Sequence, residues 1–186
     1  MALLKTESGE IYLLPEAING VIAPNEMGNF RSDEAVMKLV AKPLDEKSSV
    51  EIYKYIPKAM DQYCREKGLQ PTKALTVWEG SDPKVKERVE ISMQPHINHG
   101  REVHFLLAGG FIFYMVLGSK IAALVLQAGD WIFVHPETES WVKMTDDHYF
   151  TFASYHSAPL APVDEFHKTR VFTHRKTDKL LLFDNK

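Results

Sequence analysis

Between positions 96 and 104 the chain gathers three histidines and a carboxylate: His96, His99, Glu102 and His104, with Asn98 among them. Imidazole and carboxylate together suit iron, nickel, manganese or zinc, and two histidines with one carboxylate form the facial triad of non-haem iron centres. On composition alone a solvated histidine cluster is an equal alternative. Strand parity is more selective. Side chains alternate faces along a strand, so His96 and Asn98 share one face while Ile97 takes the other. After a turn at His99-Gly100, Glu102 and His104 share a face in the same way. If that turn folds both pairs onto one interior, His96, Asn98, Glu102 and His104 converge and His99 points to solvent.

Other reactive groups are scattered. Glu137 and Glu139 fall in Pro136-Glu137-Thr138-Glu139-Ser140, read as a loop beside the mouth of the strand assembly. Either serves as a general base if partial burial raises its pKa, and is otherwise a solvated loop carboxylate. His148, His156, His167 and His174 lack suitable neighbours and are read as surface or packing residues. Cys64 is the only cysteine, so neither an internal disulfide nor a Cys-rich zinc framework can form, and it is read as a packed residue.

The elements that must position these groups follow from periodicity. Tyr53, Ile56, Met60 and Tyr63 recur at helical spacing within 48–67, with Gly68 placed as a C-cap and Pro57 marking a start or a kink. A shorter helix is expected around Ser32 to Val40, and a short strand at Leu75 to Trp78. From about Val89 the texture changes to successive strands. These are Val103–Leu107, Phe111–Leu117, Ile121–Leu126, Trp131–His135 and Tyr149–Tyr155, with turn signals at Ala108-Gly109-Gly110, Gly118-Ser119, Gly129-Asp130 and Pro136. Such spacing predicts an antiparallel sandwich or barrel, its interior lined or filled by Phe105, Phe113, Phe133, Trp141 and Phe152. A last strand is expected at Leu180 to Phe183.

Bulk properties narrow the function. A length of 186 residues suits one domain with a sizeable core. A net charge of -3 argues against a general nucleic-acid binder, which needs a basic surface. No apolar run approaches the ~18 residues that span a bilayer. The N-terminus lacks the apolar core of a secretory signal, so a cytoplasmic location is expected. Gly109-Gly110 lies between strands rather than opening a helix, so it is no phosphate loop, and no Gly-x-Ser-x-Gly elbow occurs.

Several segments together resemble the acireductone dioxygenases, from about residue 48 to 156. That family carries a His-x-His-x-x-x-Glu metal motif, then a Val/Ile-Arg-Phe strand and a glycine turn. Here the chain reads His96-Ile97-Asn98, Glu102-Val103-His104-Phe105 and Gly109-Gly110. Tyr63-Cys64-Arg65-Glu66-Lys67-Gly68 is similar to the family's helix end, and Ala128-Gly129-Asp130-Trp131-Ile132-Phe133-Val134 to its Gly-Asp-hydrophobic strand. The resemblance implies a mainly β fold, a cupin-type antiparallel β-barrel (double-stranded β-helix) with N-terminal helices. It would form a single domain over 1–186: an N-terminal helical and strand elaboration over 1–86, a barrel core over 87–156 and a C-terminal extension over 157–186.

The metal residues carry over in part. His96 falls on the first histidine and Glu102 on the carboxylate. Asn98 stands at the second histidine and Ser140, just ahead of Trp141, at the fourth ligand; asparagine is a weak oxygen ligand and serine a poor one at neutral pH. His104 stands where the family has an arginine after the glutamate, and the family's later arginine, on the strand that would hold Ser154, is missing; in the family such basic groups suit an anionic enediol. His104 shares the strand face of Glu102, so His96, Glu102 and His104 can form a triad, with Asn98 or water completing the shell. His135 is a further candidate ligand. Otherwise His104 is a pocket residue and no metal binds tightly.

The leading expectation is therefore a dioxygenase with a divalent metal, Fe(II) by resemblance or Ni(II), acting on a small enediol or dicarbonyl metabolite with O2. His104 or Glu137 would act as base, and Phe105, Phe133, Trp141 and Ser154 would line the substrate pocket. The rivals are an isomerase, cyclase or lyase without oxygen chemistry, and a metal-free cupin that binds a small molecule. Oligomeric state is left open.

Overall fold

The computed structural model describes residues 2–30, 34–78, 80–83, 87, 93–97, 99–145 and 149–157. In chain order the elements are β1 Leu3–Thr6, β2 Ile11–Tyr12, α1 Pro15–Ile22, β3 Glu26–Asn29, α2 Glu34–Leu39, α3 Glu46–Glu51, a 3-10 turn Ile52–Tyr55, α4 Lys58–Glu66, β4 Gln70–Val77, β5 His96–Ile97, β6 Glu102–Leu117, β7 Lys120–Gln127, β8 Asp130–Val134, β9 Glu139–Met144 and β10 Phe150–His156.

Two antiparallel sheets share β6. One runs β2-β1-β7-β6-β9-β5 and the other β4-β10-β6-β8-β3. They curl around a common apolar interior that draws Leu4, Ala122 and Leu124 from the first sheet and Met27, Val77, Leu106, Ile132 and Val134 from the second. The outer face of the second sheet carries α2, the 3-10 turn and α4, packed on Val103, Phe105, Leu107, Phe133, Ala153 and Tyr155. Burying both faces of that sheet explains why its strands read as near-continuous apolar runs.

β6 differs from expectation. Ala108-Gly109-Gly110 is not a turn between two strands; one strand of 16 residues runs through it. Opposite β10, Thr151 faces Ala108 while Phe152 faces Leu106, so one residue of β6 is extra there. Gly109 takes φ 69°, and a Cβ on it would collide with the carbonyl oxygen of Tyr149. The bulge inverts side-chain parity. Before it, Leu106 points inward; after it, Phe111, Phe113 and Met115 do. A single strand thus presents one continuous inner wall to both sheets.

The helical region follows the expected periodicity. Tyr53, Ile56, Met60 and Tyr63 all join the cluster under the second sheet. Pro57 separates the 3-10 turn from α4, and Gly68 closes α4 with φ 72°. The strand expected at Leu75 begins earlier, at Gln70, while β1, β2, β3, α1 and β9 were not anticipated. β1, β3 and β4 all join the sheets, so residues within 1–86 build part of the barrel wall. No helix among the described residues is long and apolar enough to cross a membrane. The strand expected at Leu180 to Phe183, and the extension beyond 157 that holds it, lie outside the described residues, as do His148, His167 and His174.

Candidate metal centre

Three strands of the second sheet bring a half-buried acid–imidazole cluster together. Glu102 and His104 occupy alternate positions at the start of β6, on the face that continues to Leu106. On β10, Ser154 pairs with His104 and His156 with Glu102; on β8, Val134 and Ile132 pair with the same two residues. Cross-strand partners point the same way, so Glu102, His104, Ser154 and His156 share the interior face with two buried aliphatic side chains.

The geometry is tight. Glu102 Oε2 lies 3.0 Å from His104 Nε2, and Glu102 Oε1 lies 3.3 Å from His156 Nδ1. His104 Nδ1 lies 2.8 Å from Ser154 Oγ. One carboxylate oxygen and two imidazole nitrogens from Glu102, His104 and His156 lie within 4.8 Å of one another. The side chains are 13%, 18% and 15% exposed respectively. Edge-on contacts of the His104 ring with Phe152 and His156, at 6.1 and 5.7 Å, hold its plane. Burial alone would raise the Glu102 carboxyl. Hydrogen bonds from His104 and His156, and their charge, outweigh it and hold the group well below the usual carboxylate range. A carboxylate only accepts hydrogen bonds, so both ring nitrogens facing it carry protons.

His96 and Ser140 form a separate polar pair. They face each other across β5 and β9, and Ser140 also faces the inward Met115 of β6. Both are buried. His96 Nδ1 lies 2.8 Å from the Gln94 carbonyl oxygen, so that nitrogen bears the proton. Ser140 Oγ is buried with no hydrogen-bond partner among the described residues. His96 is not in the group that closes to within 4.8 Å, and Asn98 lies outside the described residues.

The remaining candidates sit elsewhere. His135 is exposed and its Nδ1 lies 3.0 Å from the Pro136 carbonyl oxygen. Glu137 is exposed, with a left-handed φ of 64°, and pairs with His99 at 2.9 Å. Glu139 opens β9 instead of lying in a loop. Phe105 and Phe133 pack beneath the helices, because their neighbours Leu106, Ile132 and Val134 take the inward positions. Trp141 stacks on Tyr114 at 5.2 Å on the outside of the first sheet. Of the four residues expected to line a pocket, Ser154 alone reaches the cluster. His156, expected at the surface or in packing, instead joins the cluster. Its signal was present: one more residue on the strand ending at Tyr155 puts it on the face of Ser154.

No family model matches the chain. Among curated proteins it is 35% identical over 71 residues to an acireductone dioxygenase of a Synechococcus species, and 36% identical over 64 residues to that of Synechococcus elongatus. These matches cover 38% and 34% of this chain, and the chain spans only 39% and 32% of those relatives' length. Among solved structures, an acireductone dioxygenase from Bacillus anthracis with a cadmium ion in its active centre aligns with a TM-score of 0.71. That alignment covers 86% of this chain and 94% of the other at 16% identity, which establishes a shared cupin fold.

Proposed function

As a cupin-fold relative of the acireductone dioxygenases, this chain, we propose, is a metal-dependent dioxygenase acting on a small enediol or dicarbonyl metabolite with O2. The observation that supports this is the convergence of Glu102, His104 and His156 within 4.8 Å. One carboxylate and two imidazoles are the donor set of a facial triad, and Glu102, His104 and His156 would hold such an ion. Fe(II) is the proposed ion, with Ni(II) second. When bound, it supplies a Lewis-acid site for an oxygen-rich substrate and a partner for dioxygen.

The chain's own residues supply the rest. Glu102 brings the negative charge, already ionised. Each imidazole would have to present an unprotonated nitrogen to the ion, so metal uptake is expected to weaken in acid. Leu106, Ile132, Val134 and Phe152 provide an apolar wall that keeps water from the reacting centre. By the resemblance, His104 replaces an arginine and a later arginine on the strand of Ser154 is missing, which favours a less anionic substrate. A cytoplasmic location fits such a metabolite.

Elemental analysis of untagged protein tests the centre. Near-stoichiometric metal is expected in the wild type and in His96→Ala, with loss in Glu102→Ala, His104→Ala and His156→Ala. Oxygen uptake with enediol substrates then tests the reaction. No metal after anaerobic reconstitution with iron or nickel overturns this reading. The hydrogen-bonded chain Ser154–His104–Glu102 would then support the metal-free acid–base alternative, an isomerase, cyclase or lyase.

A further inference from the structure

We propose that the Ser140 hydroxyl is a substrate-binding group, which receives a further uncharged oxygen of a molecule whose enediol or dicarbonyl head lies at the Glu102 cluster. This rests on the reading above that the barrel interior takes a small oxygen-bearing metabolite. Among the described residues, two buried side-chain polar atoms have no hydrogen-bond partner, the hydroxyls of Tyr114 and Ser140. They differ in direction. Tyr114 stacks on Trp141 on the outside of the first sheet. Ser140 is 1% exposed and pairs with the inward Met115.

Register places this hydroxyl. His96 faces Ser140 in the β5–β9 pair as Glu102 faces Val134 in the β6–β8 pair. The chain takes as many residues from His96 to Glu102 as from Ser140 back to Val134, so both pairs belong to one ladder that passes from one sheet to the other. His99 and Glu137 meet at 2.9 Å midway along it. Met115 and Val134 both point inward, so their partners Ser140 and Glu102 face one interior from two sheets. The crossing is held from behind: Oδ1 of the buried Asn25 accepts from the His135 N–H at 2.7 Å and from Thr138 Oγ1 at 3.0 Å. Ser140 is therefore fixed in place before a ligand arrives.

A buried hydroxyl without a partner costs stability, and an alanine at this position would avoid that cost. The oxygen is explained if its partner comes with the substrate. A hydroxyl both donates and accepts, so it matches a carbonyl or a hydroxyl, and it brings no charge to balance a carboxylate or phosphate. The adjoining Met115 side chain is unbranched and flexible, and can yield to an incoming atom. The substrate class is thus a small neutral-tailed molecule with oxygens at both ends, one end at the cluster and the other at β9.

The probes are reductic acid, a small cyclic enediol that also carries a carbonyl, and the vicinal cyclopentanedione, which lacks the further oxygen. Their affinities for the full chain, with and without Fe(II), are measured by anaerobic calorimetry in the wild type, Ser140→Ala and Ser140→Cys, beside urea unfolding of each. Ser140→Ala is expected to weaken reductic acid about tenfold, the loss of one neutral hydrogen bond, and to leave the dione within about twofold. Its unfolding midpoint is expected to equal or exceed that of the wild type, because an orphan hydroxyl has been removed. Ser140→Cys, whose thiol donates only weakly, is expected to bind as Ser140→Ala does and carries the test if the alanine variant does not fold. Unchanged affinity, equal losses for both probes, or a lowered midpoint in both variants overturns this proposal alone. A wild type that binds neither probe overturns the enediol reading and this proposal with it.

Discussion

At the scale of single residues, the informative feature is a carboxylate kept ionised inside an apolar wall. Desolvation opposes its charge, and two imidazoles overcome that opposition. A carboxyl whose folded pKa is depressed adds stability above its unfolded value, and loses it as pH falls towards the folded value. For metal-free protein the loss is expected to begin as pH drops below about 4.3, the ordinary glutamate value. Denaturant titrations between neutral pH and pH 3 would show a steeper decline for the wild type than for Glu102→Gln. Parallel declines would mean that the carboxylate is not matched as the geometry indicates. Cys64 is the opposite case. Burial, with help from the Asp61 charge, pushes its thiol up to about 12. At pH 8 a disulfide reagent is expected to label it only as fast as the protein unfolds; immediate labelling would contradict its burial.

At the scale of elements, β6 decides whether the cluster can exist. Its bulge lets Glu102 and His104 point inward in one sheet while Phe113 and Met115 do so in the other. Gly109 and Gly118 offer a matched comparison, since both hold positive φ, 69° and 64°, but only Gly109 is crowded, against the Tyr149 carbonyl. Gly118→Ala is expected to cost about 1–2 kcal/mol, the ordinary penalty for a left-handed residue. Gly109→Ala is expected to cost clearly more, because β10 must also shift, and to weaken metal binding along with stability. Equal midpoints in urea for the two variants would show that the bulge tolerates a side chain.

At the scale of the whole molecule, the second sheet is a partition between two kinds of packing. Its inner face meets the barrel interior and the polar cluster, and its outer face is sealed by helices. Tyr53 crosses that partition by bonding to the backbone of Ser154. Removing those bonds in Tyr53→Phe is expected to lower stability by about 1–2 kcal/mol. A stability unchanged within error would indicate that β10 keeps its place without the helical layer.

The sequence by itself determined the strand-rich texture, the helical face of Tyr53, Ile56, Met60 and Tyr63, and the shared face of Glu102 and His104. Each follows from local periodicity, which the backbone enforces wherever the segment lies. It also carried the likeness to acireductone dioxygenases over part of the chain. Only the tertiary structure decided which partners those residues meet. His156 stands 54 positions after Glu102, and their pairing depends on the register of β10 against β6. That register turns on an extra residue between Leu106 and Ala108, beside the Ala108-Gly109-Gly110 stretch that in sequence reads like a turn. The same long-range pairing sends Phe105, Phe133 and Trp141 outward, because which face of a strand is inner is set by the neighbouring strands.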